Sequence, residues 1–156
     1  MWRAFLLLMV LAAHSGAQRH SSVARDMLAS HNAVRARVGV APLVWSDRLS
    51  AVAQDWANTL LARKQFAHRP KSAYGENLYE MDGANATPAE VVSAWAGESR
   101  NYDYPSNQCR AVCGHYTQLI WAGTKEVGCA VARGGSREVW VCDYNPPGNW
   151  VGKRPY

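Results

Sequence analysis

Two alternating segments near the C-terminus constrain the fold of this chain most strongly. Lys125–Arg133 and Arg137–Tyr144 alternate in the manner of strands, and Gly134-Gly135-Ser136 between them predicts a β-hairpin. Both faces of this hairpin are apolar. One face carries Val127, Val131, Trp140 and Tyr144, and the other carries Ala130, Ala132, Val139 and Val141. Because each face must be covered, helices should pack on both sides of the sheet.

The register of the hairpin also predicts the disulfide pattern. A two-residue turn at Gly135-Ser136 places Cys129 directly opposite Cys142. Counting from the turn makes this a non-hydrogen-bonded pair, in which the Cα atoms approach to about 4.5 Å, at the short end of the disulfide range. The register therefore predicts a Cys129–Cys142 bridge, and Cys109 is left to pair with Cys113.

The first seventeen residues are typical of a secretory signal peptide. Arg3 supplies the positive charge, Ala4–Ala13 the short apolar region, and Ser15 and Ala17 the small residues before the cleavage point. We expect the mature chain, residues 18–156, to be a single secreted domain. Export to an oxidising compartment is consistent with both predicted bridges.

The charge and hydropathy of the chain argue against a nucleic-acid partner and against a membrane-spanning segment. Loss of Arg3 reduces the 17 basic side chains to 16, against 12 acidic ones, so the mature net charge is +4. No basic block or interleaved aromatic stripe indicates a nucleic-acid groove. No later segment is typical of a membrane helix. We expect a monomer that binds no nucleic acid and has no transmembrane segment.

Three helices are predicted before the hairpin. The first covers Ser22–Val38, where apolar residues recur at helical spacing, and the second begins after Ser46 and ends near Lys64. A capping box at Thr87–Glu90, with proline at the first helical position, begins the third. His31 lies on the apolar face of the first helix, and we interpret it as a core residue.

Two polar residues stand out in otherwise apolar surroundings. Glu98 falls on the helical stripe of Val91 and Trp95, where a carboxylate needs a partner, a proton or a cation. The alternative is that the third helix has ended by Gly97 and that Glu98 is solvated. The segment Gly114–Trp121, GHYTQLIW, combines an imidazole with large aromatics, which is typical of the wall of a site.

Four motifs together resemble the signatures of the CAP superfamily, also called the SCP domain. They are HNxxR at His31–Arg35, GEN[ILV] at Gly75–Leu78, GHYTQLIW at Gly114–Trp121, and CDYNPPGN at Cys142–Asn149. This superfamily contains the cysteine-rich secretory proteins, antigen 5 and plant pathogenesis-related class 1 proteins. The resemblance implies an α+β fold, a three-layer α-β-α sandwich with a central, mainly antiparallel sheet.

The C-terminal tail indicates which branch of the superfamily this chain resembles most. Asn149–Tyr156 is similar to the end of the plant class 1 proteins, so we place the chain in that branch. Two departures are visible: Asp143 stands where the family usually has Asn or a similar neutral or basic residue, and Trp140 is atypical. The plant proteins usually have three disulfides, whereas this chain has cysteines for two.

The family has two histidines and two glutamates in the floor of a large cleft. The matching residues in this sequence are His68, Glu76, Glu98 and His115. Such a tetrad suits a divalent cation, most naturally Zn²⁺. The alternative is a metal-free hydrogen-bonded cluster that holds the cleft loops together.

The resemblance implies a secreted binding protein, with a sterol or lipid as ligand and a defence or antimicrobial role. Tyr102 and Tyr104 are the predicted apolar contacts, although ordinary surface packing also accounts for them. A metal-assisted hydrolase is the alternative, but no Ser or Cys nucleophile is indicated, and four protein ligands would leave zinc no open position. A second alternative is a precursor that releases residues 146–156 as a signalling peptide. We take binding as the leading function, assign no catalytic residue and leave the hydrolase open as the alternative.

Overall fold

The computed structural model describes residues 21–156, so the predicted signal peptide at residues 1–17 lies outside the described residues. The helices are α1 (Ser22–Arg37), α2 (Asp47–Arg63), α3 (Pro88–Ala96) and α4 (Gly114–Leu119), and a 3₁₀ helix covers Gly97–Asn101. The strands are β1 (Val44–Trp45), β2 (Gly75–Asp82), β3 (Tyr102–Asp103), β4 (Gln108–Cys109), β5 (Glu126–Gly134) and β6 (Arg137–Asn145).

The central sheet has the strand order β1-β5-β6-β2 and is mainly antiparallel, as predicted. Strands β5 and β6 form the predicted hairpin, in which Cys129 pairs directly with Cys142. The disulfide between these two residues has a Cα–Cα distance of 4.1 Å, and a second disulfide joins Cys109 to Cys113. Both predicted pairings are therefore present.

Helices cover both faces of the sheet, which confirms the three-layer arrangement. Helix α2 packs on the face of β5 and β6 that carries Ala130, Ala132, Val139 and Val141. Helices α1, α3 and α4 contribute to the other core, together with Val127, Cys129, Trp140, Cys142 and Tyr144 of the hairpin. Burial of this apolar area on both faces is the main driving force for folding.

The HNxxR motif ties α1 to the rest of the core. His31 is buried; its Nδ1 donates to the Met27 carbonyl at 2.8 Å, and its Nε2 accepts from the Tyr144 hydroxyl at 2.9 Å. Burial lowers the pKa of His31 to about 4, so the ring is neutral. Arg35 is also buried, and it donates to four carbonyls, those of Ala41, Leu119, Trp121 and Thr124. The core interpretation of His31 is confirmed.

The predicted helices are confirmed with small changes at their ends. Ser21 caps α1, Ser46 caps α2, and the chain leaves α2 through Lys64 in a left-handed conformation. Thr87 and Glu90 form the predicted capping box of α3. Two strands of the sheet, β1 and β2, were not predicted. Strand β1 is only two residues long, and it pairs in parallel with β5.

Among residues 21–156, no helix is both long enough and apolar enough to cross a bilayer.

Candidate functional site

The four predicted site residues lie at one edge of the central sheet, where β2 begins and α4 starts. Here a cavity of about 210 Å³ opens to the surface. It is lined by His68, Glu76, Asn77, Val112, Gly114, His115 and Asn149. Three of the four predicted residues therefore line one cavity, and Glu98 contacts it through His115.

His68 and Glu76 form the first carboxylate–imidazole pair. Nδ1 of His68 donates to Oε1 of Glu76 at 2.6 Å, and the same oxygen accepts from the backbone N–H of Arg69 at 3.1 Å. The hydrogen bond to Glu76 raises the pKa of His68, while partial burial acts in the opposite direction. The His68 side chain is 65% exposed whereas that of Glu76 is 5% exposed, so the imidazole faces outward from a buried carboxylate.

His115 and Glu98 form the second pair. Nδ1 of His115 donates to Oε1 of Glu98 at 2.6 Å. The other carboxylate oxygen accepts from the backbone N–H groups of His115 and Tyr116, at 3.0 and 3.4 Å. The Trp95 ring stacks beside the imidazole with a centroid distance of 6.2 Å. Glu98 thus orients His115 and also binds the free N–H groups at the start of α4.

Each of the two interpretations of Glu98 from the sequence is correct in one respect. Helix α3 ends at Ala96, as the solvated alternative required, and Glu98 lies in the 3₁₀ helix. Its side chain is nevertheless only 18% exposed and has the partner that the buried interpretation demanded. A helical wheel could not identify that partner, because His115 lies 17 residues further along the chain.

The geometry differs from the expectation of four metal ligands. No three potential ligand atoms of the tetrad lie within 4.8 Å of one another, because each carboxylate is bound to the Nδ1 of its own histidine. Within residues 21–156, neither Nε2 atom has a hydrogen-bond partner. Metal-binding histidines almost always donate their second ring nitrogen to a carboxylate or carbonyl. The tetrad is therefore two His/Glu pairs, in each of which the carboxylate orients the imidazole and leaves its Nε2 without a partner in the described part of the chain.

Asn77 of the GEN motif connects this site to the core. Its Nδ2 donates to the His115 carbonyl at 3.1 Å and to the Tyr144 hydroxyl at 3.2 Å. The Tyr144 hydroxyl in turn donates to His31. One chain of hydrogen bonds thus runs from the first helix to α4, and it holds the backbone that carries His115.

One other group of potential metal ligands occurs in the described part of the chain, namely His31, Cys129 and Cys142. The two sulfur atoms are joined in a disulfide, and both nitrogens of His31 have hydrogen-bond partners. This group is therefore structural.

Asp143 is a residue near the site whose importance the sequence did not reveal. It is fully buried, and neither of its carboxylate oxygens has a hydrogen-bond partner. Burial and, to a smaller extent, the nearby charge of Glu76 raise the pKa of Asp143 to about 7, while Arg69 acts in the opposite direction. The available signal was the departure from the family signature at this position, together with its place on the apolar face of β6.

Tyr102 and Tyr104 lie against the C-terminal tail. The Tyr104 ring stacks on Tyr156 at 4.8 Å, and its hydroxyl donates to the Tyr156 carbonyl at 3.1 Å. The guanidinium of Arg154 lies over the same ring at 5.1 Å. Tyr102 instead lines a second cavity of about 260 Å³ under the tail. Its other walls include Trp121, Trp150 and Pro155.

The sequence and the three-layer fold both place this chain in one known family. The model of the Cysteine-rich secretory protein family, CAP, matches residues 28–144. The chain belongs to this family. It is 43% identical over 154 residues to pathogenesis-related protein 1A of Nicotiana tabacum, covering 97% of this chain and 90% of the relative.

Two solved structures are similar in fold. Venom allergen-like protein 4 of Schistosoma mansoni superposes with a TM-score of 0.72 at 27% identity, covering 88% of this chain and 95% of that one. A structure described as NaASP2 with Zn²⁺ superposes with a TM-score of 0.70 at 23% identity, covering 87% of this chain and 86% of that one. The second likeness concerns the fold alone.

Proposed function

We propose that this chain is a secreted binding protein of the pathogenesis-related class 1 type, with a divalent-cation site at His68 and His115 and a groove for a sterol or lipid. The observation that carries the proposal is the pair of imidazoles, each oriented by a buried or half-buried carboxylate, on the walls of one cavity. Such pairs are the arrangement in which proteins present Nε2 to zinc.

The positions of the two imidazoles in the chain support a structural role for the cation. His68 belongs to the loop after α2, and His115 belongs to α4. A cation bound to both would link these two segments across the cavity. Among the divalent cations available outside cells, zinc is well suited to imidazole ligands. The similar structure NaASP2 is described with Zn²⁺.

The groove under the C-terminal tail supports the proposal that the protein binds an apolar ligand. Aromatic walls from Tyr102, Trp121 and Trp150 surround about 260 Å³. This volume lies slightly below the roughly 300 to 1,000 Å³ that encloses a whole small ligand, so it suits one end of a sterol or an acyl chain. Tyr104 does not line this cavity, and its ring stacks instead on Tyr156, so Tyr102 is the predicted contact within the groove.

Zinc titration by calorimetry tests the cation site. Parent protein and an exposed-carboxylate control, Asp26→Asn, should each bind one zinc ion at neutral pH, and His115→Gln should abolish binding. Glu98→Gln should weaken it by about 10- to 100-fold, as expected for loss of an orienting partner. Binding should also weaken as the pH falls through the histidine range, because the ligands must be deprotonated. A parent protein that takes up no zinc at neutral pH contradicts the proposal.

A labelled sterol tests the groove. Trp150→Ser removes one aromatic wall, and Val151→Ser changes the fully exposed neighbouring residue, which does not line the groove. We expect the first change to weaken binding by about tenfold and the second to leave it unaltered. Equal affinities in both variants and the parent would place any sterol site elsewhere.

Secretion and the defence role have their own tests. N-terminal sequencing of protein secreted by a eukaryotic host should begin at Gln18, and residues retained before that position would refute the predicted cleavage. Growth assays against fungi and oomycetes, with Trp150→Ser as the matched variant, test whether a defence activity depends on the groove.

The two alternative functions are not favoured. The metal-assisted hydrolase would need Glu76 or Glu98 as its base, but each of these carboxylates is bound to the Nδ1 of its own histidine, at 2.6 Å. No Ser, Thr or Cys side chain lines the cavity either, so it holds no candidate nucleophile. Release of residues 146–156 requires cleavage after Asn145, whose carbonyl accepts a hydrogen bond from the Lys125 N–H at 2.9 Å. The tail is also held by the hydrogen bond from the Ala122 N–H to the Pro155 carbonyl at 2.7 Å.

A further inference from the structure

A third carboxylate, outside the tetrad, lies beside Glu76 in the central sheet. Asp143 of β6 is the register partner of Glu76 of β2, on the face of the sheet that α2 covers. Asp143 is 0% exposed, and both of its carboxylate oxygens lack a hydrogen-bond partner. Oε2 of Glu76 is likewise buried without a partner, while Oε1 accepts from His68 and Arg69.

The strand geometry brings these two side chains together. Counting along β6 from the Cys129–Cys142 pair makes Glu76 and Asp143 a non-hydrogen-bonded pair of the β2–β6 ladder. In such a pair the Cβ atoms are about 4.5 to 5.5 Å apart. Two carboxyl groups at that separation are within contact distance, and two like charges there would destabilise the sheet.

Few neighbouring groups compensate the charge. Arg69 faces the pair from the loop after α2, but its Nη2 donates to the Val52 carbonyl and to Asp55 at 2.8 and 3.1 Å, and its Nε has no partner. His68 contacts the opposite oxygen of Glu76. On the β5 side, the register partner of Asp143 is Gly128, which offers no side chain.

We propose that Asp143 carries a proton that it donates to Oε2 of Glu76, which makes Asp143 a positioning residue for the His68–Glu76 pair. One proton gives a partner both to an Asp143 oxygen and to Oε2, and it leaves a single negative charge in the buried pair. The bond holds the carboxylate with Oε1 toward His68. Burial, reinforced by the charge of Glu76, raises the pKa of Asp143 to about 7, in the direction that this proton requires.

A proton shared between Asp143 and Glu76 does not require that the site bind a cation. An asparagine, one of the residues expected at this position from the family resemblance, would donate a similar hydrogen bond through its amide, but that amide does not titrate. Asp143 can therefore donate a hydrogen bond to Glu76 only while its carboxyl group is protonated, whereas an amide would donate at every pH. Ionisation would set two adjacent buried negative charges behind His68.

Infrared spectroscopy of metal-free protein tests the proton. At pH 6, where ordinary carboxyl groups are ionised, the parent and Asp26→Asn should show the band of a protonated carboxylic acid, and Asp143→Asn should lack it. The band should disappear as the pH rises through about 7. A parent without this band at pH 6, or a band that survives in Asp143→Asn, would overturn the proposal.

Hydrogen exchange tests the positioning role. The backbone N–H of Arg69 and the Nδ1–H of His68 both donate to Glu76, so their exchange reports the orientation of its carboxylate. Asp143→Asn keeps a donor and should preserve their protection, whereas Asp143→Leu should accelerate exchange about tenfold. Protection of the Val141 N–H serves as the reference for global unfolding. Unchanged protection in a folded Asp143→Leu would refute the role, and if that variant does not fold, loss of protection in Asp143→Asn would do so.

Discussion

Replacement of Asp143 by asparagine should stabilise the protein at alkaline pH, although the residue is buried. Burial raises the pKa of Asp143 from 3.8 to about 7 in the folded protein. The native state therefore holds its proton more tightly than the unfolded chain. Stability from this group is complete below pH 3.8, and it is lost as the pH rises through 7.

The magnitude follows from that difference in pKa. Between 3.8 and about 7, at about 1.4 kcal/mol per pKa unit, the parent loses about 4 kcal/mol on going from acidic to alkaline pH. Asparagine does not titrate and so escapes the loss. Since domains of this kind are stable by roughly 5 to 15 kcal/mol, an effect of this size is readily measured.

Urea unfolding, followed by tryptophan fluorescence in EDTA from pH 4 to 8.5, provides the measurement. The stability of Asp143→Asn minus that of the parent should rise by about 3 to 4 kcal/mol across this range, most steeply between about pH 5 and 6, and should level off above pH 7. His31, whose lowered pKa makes stability fall between pH 6.5 and about 4, titrates in both proteins and cancels in the difference. Asp26→Asn should show no such rise. A difference that is constant with pH, or a variant less stable than the parent at pH 8, would refute the reasoning.

Three further changes test the core by the same unfolding assay. Arg35→Lys should cost about 3 to 5 kcal/mol, because an ammonium group cannot serve the four carbonyls that the guanidinium bonds; a loss below about 1 kcal/mol would contradict this. Thr87→Ala should cost about 1 kcal/mol by removing the cap of α3, and an unchanged midpoint would show that the cap is dispensable. Gly75→Ala should cost about 1 to 3 kcal/mol, because its Cβ would lie 2.2 Å from Oε1 of buried Gln118, and a neutral result would mean that Gln118 moves freely.

Local patterns in the sequence were sufficient for the elements whose partners are near in the chain. The parity of the hairpin about Gly135-Ser136 set Cys129 against Cys142, and the structure has that pair. The spacing of S/T-x-x-E at Thr87 predicted the cap of α3. In each case the determining geometry lies within one element or across one tight turn, so the residue spacing contains it.

The site was predictable in its membership but not in its arrangement. His68, Glu76, Glu98 and His115 were identified through motif resemblance, and the structure gathers them at one sheet edge. Their division into two carboxylate–imidazole pairs was not visible in the sequence. It depends on which ring nitrogen faces which carboxylate, and that is decided by the packing of a loop and a 3₁₀ helix against α4.

By itself the sequence determined helices α1, α2 and α3, the hairpin register, the disulfides and the apolar character of both sheet faces, because these follow from periodicities of 3.6 and 2 along continuous segments. Only the tertiary structure decided that β2 is the neighbour of β6 and that Glu76 faces Asp143. Those two residues are far apart in sequence, and no local pattern encodes the register between distant strands. That register is set by the packing of α2 on one face and of α1, α3 and α4 on the other, which brought two buried carboxyl groups into contact distance.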